Sequence, residues 1–173
     1  KPIILTYPTK VLMNAQINAL KKELGNVRHW PDDPTQSGEV TLFEYSSDSL
    51  VRFLKTKKDL LRLDKSELIN TVLRNHQFYS SRNIIVTTPD VFHLIKMGLY
   101  RGSQRIQALF NKALVFFDEF HLYSNLSNFA PLVEWLVDSV ADKVIFLSAT
   151  PVISKELDET LQKYSHEIIG FQG

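Results

Sequence analysis

The sequence contains no cysteine. Disulfides and thiolate-held metals are therefore excluded, and a reducing compartment, the cytoplasm, is the expected setting. No apolar run approaches the roughly 20 residues a bilayer-spanning helix needs, so no membrane partner is expected. The first ten residues, KPIILTYPTK, lack the small-residue cleavage site of a signal peptide. An excess of charge is missing too: 20 Lys and Arg stand against 19 Asp and Glu, for a net charge of +1. A protein that grips nucleic acid by bulk charge would be basic. Any such contact here must run through backbone amides and a few placed side chains. There are only six glycines, and none precedes a Lys-Ser or Lys-Thr pair, so a glycine-rich phosphate loop is absent from these residues. No His-Asp pair is adjacent, and no two histidines have the H-E-x-x-H spacing of a zinc site.

What is present is an ordinary globular composition, 44% hydrophobic and 23% charged, in a chain of 173 residues that suits one domain. Five segments are apolar and rich in Val, Ile and Phe: 2–7 (PIILTY), 40–45 (VTLFEY), 83–87 (NIIVT), 113–117 (ALVFF) and 143–147 (KVIFL). Such runs, without alternation, are expected of parallel strands covered on both faces. A weaker sixth strand is expected over 167–171. Amphipathic helices lie between them. Met13, Ile17, Leu20 and Leu24 share one face of a helix that Gly25 can stop. Asp64 with Glu67 reads as a capping box opening a helix with Leu68, Ile69, Val72 and Leu73. Asp90 can cap a helix carrying Val91, Leu94 and Ile95. Phe129, Leu132, Val133, Leu136, Val137 and Val140 form an apolar stripe, with Trp135 packing just off it. Ser154 can cap a last helix with Leu157, Leu161 and Tyr164. Residues 28–38 (RHWPDDPTQSG) read as a turn-rich loop in which Trp30 is either packed or exposed. Residues 55–65 read as a charged, solvated helix start. Strands alternating with helices predict an α/β fold, a doubly wound, mostly parallel sheet with helices on both faces.

In such sheets ligands sit beyond the carboxyl ends of the strands. Four of the expected strands run there into reactive residues. ALVFFDEFHLYS delivers Asp118, Glu119 and His121; the others deliver Pro8-Thr9-Lys10, Thr88-Pro89-Asp90 and Ser148-Ala149-Thr150. Adjacent carboxylates can divide labour. Asp118 can hold Mg²⁺ through water, because Mg²⁺ dehydrates reluctantly. Glu119 can orient and deprotonate a water for attack on a phosphoryl group. Ser148 and Thr150 offer hydroxyls to neighbouring groups, and His121 can bond to one of them or to a phosphate. Plainer readings exist for each. An acidic pair at a strand exit is ordinary surface, and His121 can be a satisfied half-buried histidine. Thr9 with Lys10, and Thr88 with Asp90, can cap the helices that follow, a role compatible with holding a phosphate there. His29, His76, His93 and His166 read as surface or packing residues.

Taken in order, these residues resemble the motifs of superfamily 2 helicases. Asp118-Glu119-Phe120-His121 is similar to the DExH box (motif II), and Ser148-Ala149-Thr150 to motif III. Pro8-Thr9-Lys10 with Leu12, Asn14 and Gln16 resembles motif Ia, and Thr88-Pro89-Asp90 resembles motif Ib in its T-x-P-D form. The resemblance covers Lys1 to about Thr150. It implies that residues 1–173 are the first RecA-like domain of an ATP-driven motor on nucleic acid, with ATP and Mg²⁺ as cofactors. Glu119, Asp118 and His121 are implied as the catalytic group, with Mg²⁺ on Asp118, and Ser148 and Thr150 as coupling residues. Pro8, Thr9, Lys10, Thr88, Pro89 and Asp90 are implied as nucleic-acid contacts. D-E-F-H-L-Y together with T-T-P-D-V-F-H is most similar to CRISPR-associated helicases of the subtype I-D form, in which helicase and nuclease are separate. The implied partners are then single-stranded DNA, a second RecA-like domain, a CRISPR effector complex and a separate nuclease. A DNA-repair helicase shares the T-x-P-D form and stays open. An RNA helicase also stays open, because these motifs touch phosphates and sugars rather than bases.

One departure from the family pattern stands out. Motif I, the G-x-x-x-x-G-K-[ST] phosphate loop, lies before motif Ia in the family, so it is expected upstream of Lys1. The second RecA-like domain is expected downstream of Gly173. A RecA-like scaffold without ATPase activity is the alternative that its absence raises. By themselves the 173 residues are expected to bind ATP poorly and to hydrolyse none. Millimolar ATP and Mg²⁺ should therefore shift their melting temperature little, since a ligand stabilises only as its concentration exceeds its dissociation constant. A large shift in a thermal unfolding scan would show a more complete nucleotide site.

Overall fold

The computed structural model describes residues 1–32, 40–56, 67, 83–96, 111–124, 126 and 128–170. In chain order the elements are β1 (Ile3–Thr6), α1 (Lys10–Leu24), β2 (Val27–Trp30), β3 (Val40–Tyr45), α2 (Ser47–Thr56), β4 (Asn83–Thr87) and α3 (Pro89–Lys96). They continue with β5 (Leu114–Asp118), a 3-10 turn (Phe120–Leu122), α4 (Phe129–Ser139), β6 (Lys143–Leu147) and α5 (Lys155–Leu161). The strands form one sheet in the order β2-β3-β4-β1-β5-β6. Every pairing is parallel. Central β1 sets the register: Leu5 lies between Val86 of β4 and Phe116 of β5.

Side chains alternate across a strand, so each strand feeds both faces. Ile84 and Val86 of β4 pack with Leu5, and with Leu12, Met13 and Ile17 of α1. Ile85, between them, joins Ile4, Val115, Phe117 and α4 in the larger cluster. This is the expected α/β architecture, a parallel sheet with helices on both faces. At its centre Phe117 is fully buried. Its ring contacts Phe129 edge-on at 5.4 Å between centroids and stacks on Phe146 at 5.7 Å.

Local chemistry explains most element ends. Thr9 caps α1, its Oγ1 accepting the Leu12 N–H at 3.2 Å. Gly25 ends that helix at φ 70°, a left-handed value that glycine adopts without Cβ strain. Ser154 caps α5 in the same way, accepting from Leu157 N. The stripe from Phe129 to Val140 is core as expected, and Trp135 packs against it.

Several expectations need correction or fall outside the described residues. Residues 28–30 are strand, not loop: β2 is buried at all four positions. Trp30 is core, stacked on Phe43 with ring centroids 4.4 Å apart. The strand expected over 167–171 does not form in its described part, 167–170, which is exposed. Asp90 is not the cap of α3. The helix begins at Pro89, whose fixed φ and missing N–H suit a first helical position, and Asp90 lies in its first turn. The helix expected from Asp64 lies outside the described residues except for Glu67, as do 33–38 of the expected loop and His76; of the helix start expected over 55–65, Lys55 and Thr56 instead close α2 and 57–65 lie outside the described residues.

The two polar residues of β2 explain why its strand was hidden. His29, expected at the surface or in packing, is 6% exposed and lies in an ion-pair network. Its Nε2 is 2.9 Å from Oε2 of Glu44 on β3, which is 2% exposed. Arg52 of α2 donates to the same Glu44 oxygen through Nη2, and to Asp32 Oδ1 through Nε at 2.9 Å. Burial by itself would raise the Glu44 carboxyl, but the bonds from His29 and Arg52, and their charges, outweigh it and hold it below its ordinary value. A depressed carboxyl stabilises the fold above its unfolded value and loses that contribution as pH falls through its folded value. Urea unfolding from neutral pH to below 4.5 should therefore show Glu44→Gln less stable at neutral pH and flatter in its acid limb than the wild type.

Candidate functional site

Because all strands are parallel, the exits of β1, β4, β5 and β6 lie along one edge of the sheet. β5 leaves it through Asp118, whose Oδ1 accepts the N–H of Glu119 at 3.0 Å. Glu119 adopts φ 50° and ψ 41°, the left-handed region. A non-glycine residue there costs about 1–2 kcal/mol, so other contacts must hold the turn. Leu122 N donates to Glu119 O at 3.0 Å, closing the 3-10 turn. The Tyr123 hydroxyl donates to the Asp118 carbonyl at 2.9 Å. Tyr123 is buried, with its ring against Phe117 and Phe129.

The turn aims His121 at the neighbouring strand exit. His121 Nδ1 is 2.7 Å from Ser148 Oγ and 3.3 Å from Glu119 Oε2. Ser148 Oγ in turn accepts the Thr150 N–H at 3.1 Å. A second tie runs alongside, from Ser124 Oγ to Val152 O at 2.9 Å. The β5 and β6 exits are thus fastened together twice, by side chains on one and the loop of the other.

Nδ1 of His121 is one atom facing two oxygens. Carrying a proton, it can donate to Ser148 or to Glu119, not fully to both. Without one, it can accept the Ser148 O–H and leaves Glu119 without that donor. A proton on Nδ1 is therefore what lets His121 serve the acid at all; without it, Nδ1 serves only the hydroxyl.

The remaining sequence-predicted residues are placed as follows. Thr9 caps α1, and Lys10 Nζ pairs with Asp48 Oδ2 of α2 at 2.9 Å. Thr88 is buried and its hydroxyl donates to the Asp90 carboxylate in the first turn of α3. Pro89 opens that helix, and Pro8 lies half-buried between β1 and Thr9. Thr150 joins the network through its main-chain N–H rather than through the hydroxyl expected of it. Asp118, Glu119, His121 and Ser148 come together as one connected group. Pro8, Thr9, Lys10, Thr88, Pro89 and Asp90 stand at the β1 and β4 exits of the same edge.

A family model for the DEAD/DEAH box helicases matches residues 1–160. The chain belongs to the DEAD/DEAH box helicase family. No curated protein and no solved structure matches it. Members of the family are ATP-dependent helicases that bind nucleic acid and use ATP, typically with Mg²⁺. The residues of this DEAD/DEAH box helicase domain fit such a cation. Asp118 is half-buried, and among the described residues no cation pairs with it. Its charge is felt nearby. Burial first, then Asp118, pushes the Tyr7 phenol up to about 12. Burial, then Asp118 and Glu119, raises that of Tyr123 as well. Asp118 thus stands close to both phenols, at a strand exit where a half-buried carboxylate is open to a divalent ion.

Reasoning from sequence missed Tyr123, Tyr7, Ser124 and Asp48. Tyr123 and Ser124 stand in ALVFFDEFHLYS itself, but nothing in their spacing says that a phenol would reach back to a carbonyl five residues earlier. Removing that hydroxyl should be felt. Tyr123→Phe keeps the ring packing and leaves the Asp118 carbonyl without its donor, a loss of about 1–3 kcal/mol. Chemical denaturation checks it, and an unchanged midpoint would show that water replaces the phenol.

Proposed function

We propose that residues 1–173 are the first RecA-like domain of an ATP-driven translocase that moves on single-stranded DNA in the cytoplasm. The proposed setting is CRISPR interference, with the nuclease as a separate protein. The reading rests above all on the connected group Glu119–His121–Ser148, which joins an acid able to activate water to the next strand exit. The family match supports the ATP-dependent helicase part. The similarity of D-E-F-H-L-Y and T-T-P-D-V-F-H to CRISPR-associated helicases supports the finer setting, and the cysteine-free composition suits the compartment.

In this reading Glu119 accepts a proton from water as the water oxygen bonds to the γ-phosphorus, and ADP leaves with the bridging oxygen. Asp118 would hold Mg²⁺ through water, where the ion supplies positive charge to the phosphoryl oxygens. His121 passes the state of Glu119 to Ser148 and Thr150, coupling hydrolysis to movement. Thr9 and Lys10 at the start of α1, and Thr88 and Asp90 at α3, contact the DNA backbone with Pro8 and Pro89 shaping those turns. Lys10 must exchange Asp48 for a phosphate when DNA arrives. The phosphate loop and the second RecA-like domain complete the motor.

The acids should separate in kinetics measured on the complete protein. Asp118→Asn removes charge beside the metal, so nucleotide–metal affinity and turnover both fall. Glu119→Gln retains size and hydrogen bonding, so binding survives while hydrolysis drops by about 10² or more. His121→Ala leaves part of the ATPase but unwinds poorly. Steady-state hydrolysis beside equilibrium nucleotide binding and duplex unwinding reads all three. Wild-type hydrolysis by Glu119→Gln would falsify the mechanism and reduce the adjacent acids to a polar strand end, whereas no hydrolysis by the complete wild-type protein would favour a scaffold without ATPase activity. Matched DNA and RNA duplexes in the same assay test the choice of strand.

A further inference from the structure

A second group of titratable side chains lies on the β2–β3 side of the sheet. His29 is on β2, Glu44 on β3, and Asp32 stands two residues after β2 ends. His29 is paired in register with Leu42, so Glu44 follows two residues along on the same strand face. One ligand atom from each of the three lies within 4.8 Å of the other two. His29 and Glu44 are buried, whereas the Asp32 side chain is 48% exposed and opens the group to solvent.

The hydrogen bonding of His29 is incomplete. Its Nε2 is engaged by Glu44, but among the described residues its buried Nδ1 has no hydrogen-bond partner. That nitrogen faces Asp32 Oδ2 at 3.6 Å. A neutral imidazole carries one N–H. Donated to Glu44 from Nε2, it leaves a bare lone pair at Nδ1 opposite the Asp32 carboxylate. An unserved buried polar atom is costly. The separation matches two neighbouring ligands of one ion, since zinc holds imidazole nitrogen and carboxylate oxygen at about 2.0–2.2 Å. A carboxylate on the other ring nitrogen is the usual second partner of a metal-bound histidine, and Glu44 stands there.

Arg52 already presents a cation to this group. Its guanidinium bonds to Asp32 Oδ1 and to Glu44 Oε2. It neutralises the carboxylates but leaves Nδ1 without a partner. An ion at Nδ1 would therefore compete with Arg52 for Asp32, and α2, which carries Arg52, would feel the exchange.

We propose that His29, Asp32 and Glu44 form a site for a divalent transition metal of the zinc type. His29 Nδ1 and Asp32 hold the ion, Glu44 orients the imidazole, and Arg52 competes with the metal. The imidazole selects zinc over Mg²⁺, which prefers oxygen ligands. The site is separate from Asp118 and does not depend on the helicase reading.

Zinc sulfate titrated into the metal-free chain tests this by calorimetry, with X-ray absorption at the zinc edge reading the ligands. The expected result is one saturable site whose shell contains an imidazole nitrogen and carboxylate oxygen. Asp32→Asn and His29→Gln should each weaken it about tenfold or more. Arg52→Gln, which removes the competing charge, should tighten it. Asp32 is half-exposed, so its variant remains informative if His29→Gln fails to fold. An ion held by surface histidines alone would ignore Asp32→Asn. That outcome, or the lack of saturable binding, overturns the site.

Discussion

A parallel strand cannot be followed directly by its neighbour. The chain must return across one face before pairing again, and it does so through a helix. In this protein all five described strand pairs are parallel, and helices follow β1, β3, β4 and β6. The parallel arrangement places apolar residues on both faces, which is why every strand except β2 reads as an oily run. It also sends every strand out of the sheet at the same edge. Side chains far apart in sequence are thereby gathered without any loop having to reach for them.

At that edge a rigid support meets a tense turn. Phe117, Phe129, Tyr123 and Phe146 form an aromatic block directly beneath the β5 exit. The block anchors Tyr123, whose hydroxyl holds the Asp118 carbonyl, and the turn beyond can then keep Glu119 in the left-handed region. His121 reaches Ser148 from the far end of the same turn. The hydrophobic core and the polar site are one continuous structure, with Tyr123 belonging to both.

Much of this was legible in the sequence, for identifiable reasons. β3, β4 and β6 were readable to the residue because Val, Ile and Phe fill them. β2 was hidden because Arg28 and His29 look like surface, and a strand of four residues offers no periodicity to counter that impression. Its partners, Glu44 and Arg52, come from elements 15 to 23 residues later, judged from positions 29, 44 and 52. The strand expected near Glu167 fails for the opposite reason: two isoleucines, Ile168 and Ile169, looked like a strand but remain exposed. In the site, Asp118, Glu119, His121 and Ser148 were visible as residue types at strand ends. Contacts that cross between elements, such as Lys10 with Asp48 or Tyr123 with a carbonyl, leave no mark in the linear pattern.

The left-handed backbone at Glu119 has one more consequence. It ranks the amino acids that position 119 will accept before chemistry is considered. Glycine fits without strain, and asparagine and aspartate follow, whereas valine, isoleucine and threonine crowd the preceding and following peptides. Glutamate stands in the middle of that order, so conformation alone would not choose it. Any library of variants at this position will show two superimposed gradients, one of folding and one of turnover, and glycine will separate them: best tolerated by the backbone, and lacking the carboxylate.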